Sequence, residues 1–175
     1  MRRLYKVDSR ESRVVATARS SVHDTEAVFS GLSGTIEADP DGELTEPDAV
    51  TLAIAVDMTT GDAGDFLRTR KLRGDIDVER YPEARFSLAR VATFERGERG
   101  AFEASGEGTL AWRDREVTLA PTGRGTLDEE HIAATATFSF DMRELGVKPP
   151  KFLMLKVEPE VEVTVTLVAY PDVPT

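Results

Sequence analysis

The stretch Val161-Glu162-Val163-Thr164-Val165-Thr166-Leu167 decides the fold class, because every second residue in it is apolar. Side chains of an extended strand point alternately to opposite faces, so this pattern predicts a strand with one apolar and one polar face. An antiparallel sheet that is covered on only one side requires such strands. The same alternation marks three further strands. Their apolar positions are Val50, Leu52, Ile54, Val56 and Met58 in the first, Phe86 and Leu88 in the second, and Ala134, Ala136, Phe138 and Phe140 in the third.

Weaker strand patterns cover most of the remaining chain. Together with the clear ones they number about eight, and eight antiparallel strands can close into a barrel that leaves no edge exposed. We therefore predict an all-β fold: an eight-stranded antiparallel lipocalin-like β-barrel with one or two short helices. A two-sheet sandwich has a similar alternation and stays open as an alternative. The weaker strands are Leu4–Asp8, Ser12–Arg19, Glu26–Ala38, Phe102–Trp112 and Arg115–Gly125.

Three segments interrupt the strand pattern. Gly61–Gly74 predicts a short helix that ends near its final glycine. Met142–Leu155 predicts a turn of helix followed by a long connection, because it contains Pro149-Pro150. Residues 37–48, called the acidic segment below, hold six acids and two prolines. The acidic segment does not match the spacing of an EF-hand, so we expect a solvated hairpin loop.

Composition excludes several classes of function. The net charge of −10 repels phosphate backbones, so no nucleic-acid partner is expected. No apolar run approaches the ~18 residues of a membrane-spanning helix, so we expect no stable membrane insertion. The chain has no cysteine, which removes disulfides, thiolate metal sites and cysteine nucleophiles.

The chain reads as a single domain over residues 1–175, with a core of about residues 4–170. No apolar signal segment follows Met1-Arg2-Arg3, and strand-like sequence begins almost at once. We therefore expect a cytoplasmic protein.

One stretch near the middle of the chain resembles a known family. Asp77-Val78-Glu79-Arg80-Tyr81-Pro82, followed by Ala84-Arg85-Phe86, is similar to the "DVEKYPxxxF" motif of the YceI-like family. Tyr5–Asp8 resembles the opening strand of that family, and Phe29–Ile36 resembles its "fsGtI" segment. Further pieces follow in the family's order over residues 5–169, although Trp112-Arg113-Asp114 stands where the family has His-Gly-Val.

The resemblance implies a lipocalin-like, polyisoprenoid-binding barrel. Such a barrel binds or sequesters an apolar ligand, the tail of a polyprenyl lipid or quinone, and acts as a carrier without catalysis. A homodimer is also reasonable on this resemblance. The inward faces of the strands are then the candidate ligand-binding residues: Val50, Leu52, Ile54, Val56, Met58, Phe86, Leu88, Leu110, Trp112, Val117, Leu119, Phe138, Phe140, Val163, Val165 and Leu167.

Two alternatives remain for the same residues. Inward side chains fill many small barrels completely, which would leave a protein-interaction or structural module with no ligand. A small barrel hydrolase or isomerase is the third alternative, and it requires convergent polar groups inside the pocket. The sequence offers few such groups: His23 and His131 belong to no spaced metal motif, and no G-x-S-x-G nucleophile signature occurs. We therefore expect no catalytic residue, no metal, no cofactor and no enzyme activity.

A basic cluster stands out in this acidic chain. Arg68, Arg70, Lys71 and Arg73 lie in the predicted helix. Arginine forks match phosphate oxygens, so the four residues are possible contacts for a ligand head group. The same residues also fit a solvated helix face that is paired with neighbouring acids.

Overall fold

The computed structural model describes residues 1–152 and 155–173. Antiparallel strands dominate this part of the chain, as the alternating pattern predicts. The strands are β1 (Arg3–Val7), β2 (Arg13–Ser20), β3 (Thr25–Phe29), β4 (Gly31–Ala38), β5 (Thr51–Asp57), β6 (Glu83–Arg96), β7 (Ala101–Trp112), β8 (Arg115–Leu119), β9 (Thr122–Leu127), β10 (Ile132–Asp141), β11 (Lys151–Phe152) and β12 (Leu155–Pro171). The helices are α1 (Phe66–Asp75) and the 3₁₀ turns Met58–Thr60, Glu98–Gly100 and Met142–Leu145.

The sheet closes on itself into an eight-stranded antiparallel barrel, which confirms the predicted fold class. Three pairs of consecutive strands each form one wall strand: β1 with β2, β3 with β4, and β8 with β9. Strand β12 completes the ring, because one of its edges pairs with β10 and the other pairs first with β2 and then with β1. Wall strands that are adjacent in the chain are therefore adjacent in space.

Ser12 bridges the break between β1 and β2. Its side chain is buried, and its hydroxyl donates to the Val168 carbonyl at 3.3 Å while accepting from the Val168 N–H at 3.0 Å. A hydroxyl can both donate and accept, so it replaces the missing backbone partner of β12 at this point. The ring therefore stays hydrogen-bonded across the interruption.

Strand β6 is longer than the run predicted around Phe86 and Leu88, because two register shifts hide its true pattern. The pairing with β7 shifts between Leu88 and Arg90 and again between Val91 and Thr93. A bulge adds a residue and reverses which face the following side chains occupy. Strict alternation from Phe86 would turn Arg90 and Ala92 inward, whereas the first bulge turns Val91 inward instead and the second restores the original alternation at Phe94.

Several predicted boundaries need correction. Glu26–Ala38 is two strands that meet at Ser30, and Arg115–Gly125 is broken at Ala120-Pro121. The helix predicted for Gly61–Gly74 begins only at Phe66, where the Asp65 carboxylate accepts the Arg68 N–H at 2.8 Å and caps it. The predicted turn of helix at Met142 is present, but Met142–Leu155 also includes residues 153 and 154, which lie outside the described residues.

Loops cover both ends of the barrel. At the acidic end, residues 39–50 connect β4 to β5. At the opposite end, called the α1 end, residues 58–82 connect β5 to β6 and include α1. Within the described ranges, no helix is long and apolar enough to cross a membrane.

Candidate functional site

An apolar cavity of about 320 Å³ lies inside the barrel. It exists because the inward positions of the wall strands are apolar while their outward positions are polar or charged. All but two of the predicted ligand residues line it, and contact with a ligand stays a prediction for each of them. The lining residues among them are Val50, Leu52, Ile54, Val56, Met58, Phe86, Leu88, Leu110, Trp112, Phe138, Phe140, Val163, Val165 and Leu167.

Val117 and Leu119 are the two predicted ligand residues that do not line the cavity. They lie on β8 and are buried, with exposed fractions of 7% and 2%. The 3₁₀ turn Met142–Leu145 packs against β8, and Leu145 itself is fully buried in the same apolar cluster. Both side chains therefore belong to the hydrophobic core between β8 and the 3₁₀ turn Met142–Leu145.

Few residues that line the cavity carry a polar side chain, and the polar groups of those that do are hydrogen-bonded within the protein. The hydroxyls of Ser105 and Thr122 point to the outer face of the sheet, where they lie 2.6 Å from the hydroxyl of Thr93 and 3.3 Å from that of Thr137. The Trp112 indole N–H donates to the Tyr81 carbonyl at 3.1 Å. An unpaired polar group in an apolar space costs free energy, so the satisfied wall favours hydrocarbon over any polar guest.

The acidic segment closes one end of the cavity, which corrects the prediction of a purely solvated loop. Leu44 is only 5% exposed and lines the cavity beside Phe94 and Phe102, whose rings stack 5.2 Å apart. The Arg96 guanidinium holds the loop in place by donating to the carbonyls of Pro40 and Gly42, both at 2.6 Å. Most carboxylates of the segment remain exposed, as predicted.

A second arginine fastens the α1 end. The Arg113 guanidinium donates to the Ile76 carbonyl at 2.6 Å and to the Leu145 carbonyl at 3.1 Å. It also lies 4.9 Å above the ring of Tyr81. One side chain thus ties the segment after α1 to the 3₁₀ turn at 142–145, directly next to Trp112 on the cavity wall.

Sequence reasoning missed some of the wall. Val91 was hidden by the two bulges of β6, which no periodic pattern reveals. Leu44 was hidden because it is a single apolar residue among acids. A lone leucine in a charged run is a weak signal, and only its burial shows that it faces the cavity.

Residues 5–169 match the model of the YceI-like domain family. The chain belongs to the YceI-like family. No curated protein sequence matches it. The match extends from β1 to β12.

Solved structures of three proteins share the fold of this YceI-like domain. BcnA of Burkholderia cenocepacia is 19% identical, with 93% of this chain and 98% of BcnA aligned and a TM-score of 0.74. A polyisoprenoid-binding domain of Saccharophagus degradans, implicated in plant cell wall breakdown, is 13% identical over 95% and 98% of the two chains, with a TM-score of 0.72. The YceI protein of Campylobacter jejuni is 13% identical over 88% of each chain, with a TM-score of 0.64. Identities this low establish a shared fold.

The basic cluster of this YceI-like domain lies on the exposed face of α1. Arg68 pairs with the carboxylate of its own helix cap at 3.4 Å, and Lys71 pairs with Asp75 at 3.1 Å. Arg73 donates to the Gly61 carbonyl at 3.3 Å, and Arg70 is exposed. None of the four lines the cavity, so a head-group role for them stays a prediction that the cavity geometry does not favour.

The arrangement nearest to catalytic geometry in the described residues lies outside the barrel, at the β9–β10 hairpin. His131 Nδ1 is 3.2 Å from Asp128 Oδ1, and His131 Nε2 is 3.4 Å from the Thr126 hydroxyl. Asp128 also accepts the backbone N–H groups of Glu130 and His131 at 2.8 and 2.9 Å. Burial acts to raise the pKa of Asp128, but these two donors and the His131 ring outweigh it and hold that pKa below its ordinary value. The bonds build a tight turn, which accounts for the geometry.

Proposed function

We propose that this YceI-like barrel binds a hydrocarbon chain, such as an isoprenoid tail, reversibly and without making or breaking a bond. The observation that carries the proposal is the cavity itself: about 320 Å³ of space whose wall is apolar and whose few polar groups are already paired. The polyisoprenoid-binding domain of Saccharophagus degradans has the same fold, which supports the choice of ligand class.

The physical reason for binding is the removal of hydrocarbon from water. Burial contributes about 0.8 kcal/mol for each methylene that enters an apolar site. A preformed cavity loses little of this gain to reorganisation, because its wall strands are fixed by the closed hydrogen-bonded ring. Affinity then depends on how much of the chain the barrel accepts.

The other two interpretations receive less support. A filled interaction module has side chains where this barrel has space. An enzyme needs polar groups that converge inside the pocket, whereas the Thr126, Asp128 and His131 group lies at a surface hairpin. We therefore propose a non-catalytic binding role, and the homodimer remains a prediction from the family resemblance.

The decisive experiment is native mass spectrometry of protein purified without detergent, followed by organic extraction. The proposal expects an apolar molecule at close to one per chain, or stoichiometric uptake of added farnesol by the apo protein. If the protein is empty and also fails to take up added prenols, the interaction module becomes the better interpretation.

A matched pair of variants assigns the binding to the cavity. Val165→Asp places a carboxylate on the cavity wall, whereas Thr164→Asp places it on the outer face of the same strand. We expect uptake to be lost in the first variant and kept in the second. Equal uptake by both variants would place the ligand outside the barrel.

A further inference from the structure

Two large apolar side chains lie exposed beside the basic cluster of α1. Phe66 and Leu67, in the first turn of the helix, are 77% and 74% exposed. Adjacent exposed apolar side chains with charged neighbours mark contact surfaces. We infer that the exposed face of α1 docks the barrel onto an anionic lipid bilayer, with this apolar pair at the acyl-chain boundary and the cations among the head groups.

The packing of α1 against the barrel determines which of its sides faces solvent. Leu72 packs against the apolar core, and the Thr69 hydroxyl accepts the Ala63 N–H at 2.9 Å. Residues three apart share one face of a helix, so Thr69 and Leu72 mark the side that faces the barrel. Phe66 and Leu67 are left with most of their surface in water, where an acyl-chain boundary can receive them.

The basic cluster places positive charge around the apolar pair. Helix α1 carries four cations and one carboxylate, Asp75, and the other carboxylates of residues 58–82 precede or follow the helix. The Arg68–Asp65 and Lys71–Asp75 ion pairs are solvent-accessible and therefore weak, so both cations can exchange a carboxylate for a lipid phosphate. Among the described residues, Arg70 takes part in no ion pair.

The net charge of −10 does not prevent docking at this end of the barrel, because the acidic segment lies at the other end. The two ends are joined by β5, whose seven residues span about 23 Å at ~3.3 Å for each residue. Charges are screened over about 8 Å at physiological ionic strength, so the carboxylates of the acidic segment are screened from a surface that α1 contacts. An anionic surface therefore attracts α1 and orients the barrel.

The choice of a bilayer over a protein partner rests on the proposed function. A hydrocarbon guest is poorly soluble in water and collects in membranes, so a barrel that takes it up must meet a lipid surface. Helix α1 belongs to residues 58–82, which cover one end of the barrel. Docking through α1 thus brings that end of the cavity to the lipid from which the guest comes.

The first test is co-sedimentation of the apo protein with phosphatidylcholine vesicles that contain or lack phosphatidylglycerol. We expect binding to the mixed vesicles that weakens as NaCl is added. Leu67→Ser should lower the partition coefficient about tenfold, because its apolar surface no longer leaves water. Val173→Ser changes a side chain that is 71% exposed beside the acidic segment, and it should bind as the unmodified protein does.

A second pair of variants tests the cations. Arg70→Gln combined with Lys71→Gln should remove the preference for phosphatidylglycerol. Arg90→Gln combined with Arg99→Gln removes the same charge from β6 and the turn that follows it, and should leave the preference intact. Loss of the preference in both pairs would mean that net charge, rather than the α1 face, controls binding, and would overturn the inference.

Insertion is measured by the emission of a new tryptophan. With mixed vesicles, emission of Phe66→Trp should shift to shorter wavelength, whereas emission of Val173→Trp should not. Absence of vesicle binding, or equal shifts at the two positions, would overturn docking through α1, and uptake of farnesol by the same protein would show that the proposed function stands. Vesicle binding by a protein that takes up no prenol would support docking and contradict the proposed function instead.

Discussion

At the scale of single residues, the face that a side chain occupies decides its effect. Phe138 and Thr137 are neighbours on β10, yet Phe138 lines the cavity and Thr137 is exposed on the outer surface. A charge introduced at the first position must enter an apolar space, whereas at the second it stays in water. Such adjacent pairs separate burial from every other property of the strand.

Phe138→Asp should therefore destabilise the protein by several kcal/mol, because an unpaired carboxylate is costly to bury. Thr137→Asp should change the free energy of unfolding by less than about 0.5 kcal/mol, as is usual for exposed positions. Urea denaturation of both variants measures the difference. Equal stability would mean that β10 does not turn Phe138 into the barrel.

Asp128 makes a second prediction at this scale, on pH dependence. Its pKa lies below the ordinary Asp value of about 3.9, so the ionised carboxylate stabilises the folded hairpin above that pH. The contribution is lost as the pH falls through the lowered pKa. Asp128→Asn should consequently expose the hairpin amides to faster hydrogen exchange at neutral pH, and the difference from the unmodified protein should shrink in acid.

The control for this prediction is Glu130→Gln, which changes an exposed carboxylate in the same turn. It should leave the exchange of the hairpin amides unchanged at every pH. A difference between Asp128→Asn and the unmodified protein that persists undiminished in strong acid would contradict the assigned role of the charge.

At the scale of elements, the strands with a regular apolar alternation could be predicted from the sequence, whereas bulges and strand breaks could not. The alternating runs of β5, β10 and β12 led directly to the barrel and to most of the cavity wall. The bulges of β6 and the break at Ala120-Pro121 depend on how neighbouring strands pair, and strand pairing cannot be predicted from the residues of one strand alone. The motif around Tyr81-Pro82 identified the family, but only the structure shows that its Tyr81 carbonyl accepts the Trp112 indole N–H.

The acidic segment yields the prediction that belongs to this scale. Arg96→Gln removes the fork that holds the carbonyls of Pro40 and Gly42, so the loop should open more often. We expect faster hydrogen exchange at residues 40–44 and faster release of bound farnesol. The closed loop should be less stable by about 1–3 kcal/mol, because its two carbonyls lose their donor. Arg90→Gln, which removes an exposed ion pair with Glu107, should leave the release rate unchanged. Equal release rates in both variants would contradict the closing role of Arg96.

At the scale of the whole molecule, the stability of the closed barrel depends on the pairing of β1 with both of its neighbouring strands. Strand β1 lies between β4 and β12, with Lys6 opposite Thr35 on one side and Tyr170 on the other. The Lys6 side chain is exposed, so a substitution there acts through the backbone. Proline at this position removes the N–H from the ladder and is poorly tolerated in a strand with two neighbours.

Lys6→Pro should lower the free energy of unfolding by at least about 1–3 kcal/mol, because a sheet carbonyl loses its donor. Lys6→Ala removes the same side chain, keeps the N–H and should be nearly neutral. Chemical denaturation monitored by Trp112 fluorescence measures both. If the two variants unfold alike, β1 does not carry the closure of the barrel.

Under the proposed function, the two arginines at the ends of the barrel should also determine when a guest can leave. Arg96 and Arg113 hold their loops through carbonyl oxygens, which do not titrate and carry no net charge. Mild acid and moderate salt, which weaken exposed ion pairs, leave such bonds largely intact. The residence time of the proposed guest should therefore depend on how often thermal motion breaks a small group of hydrogen bonds from guanidinium groups to uncharged carbonyls.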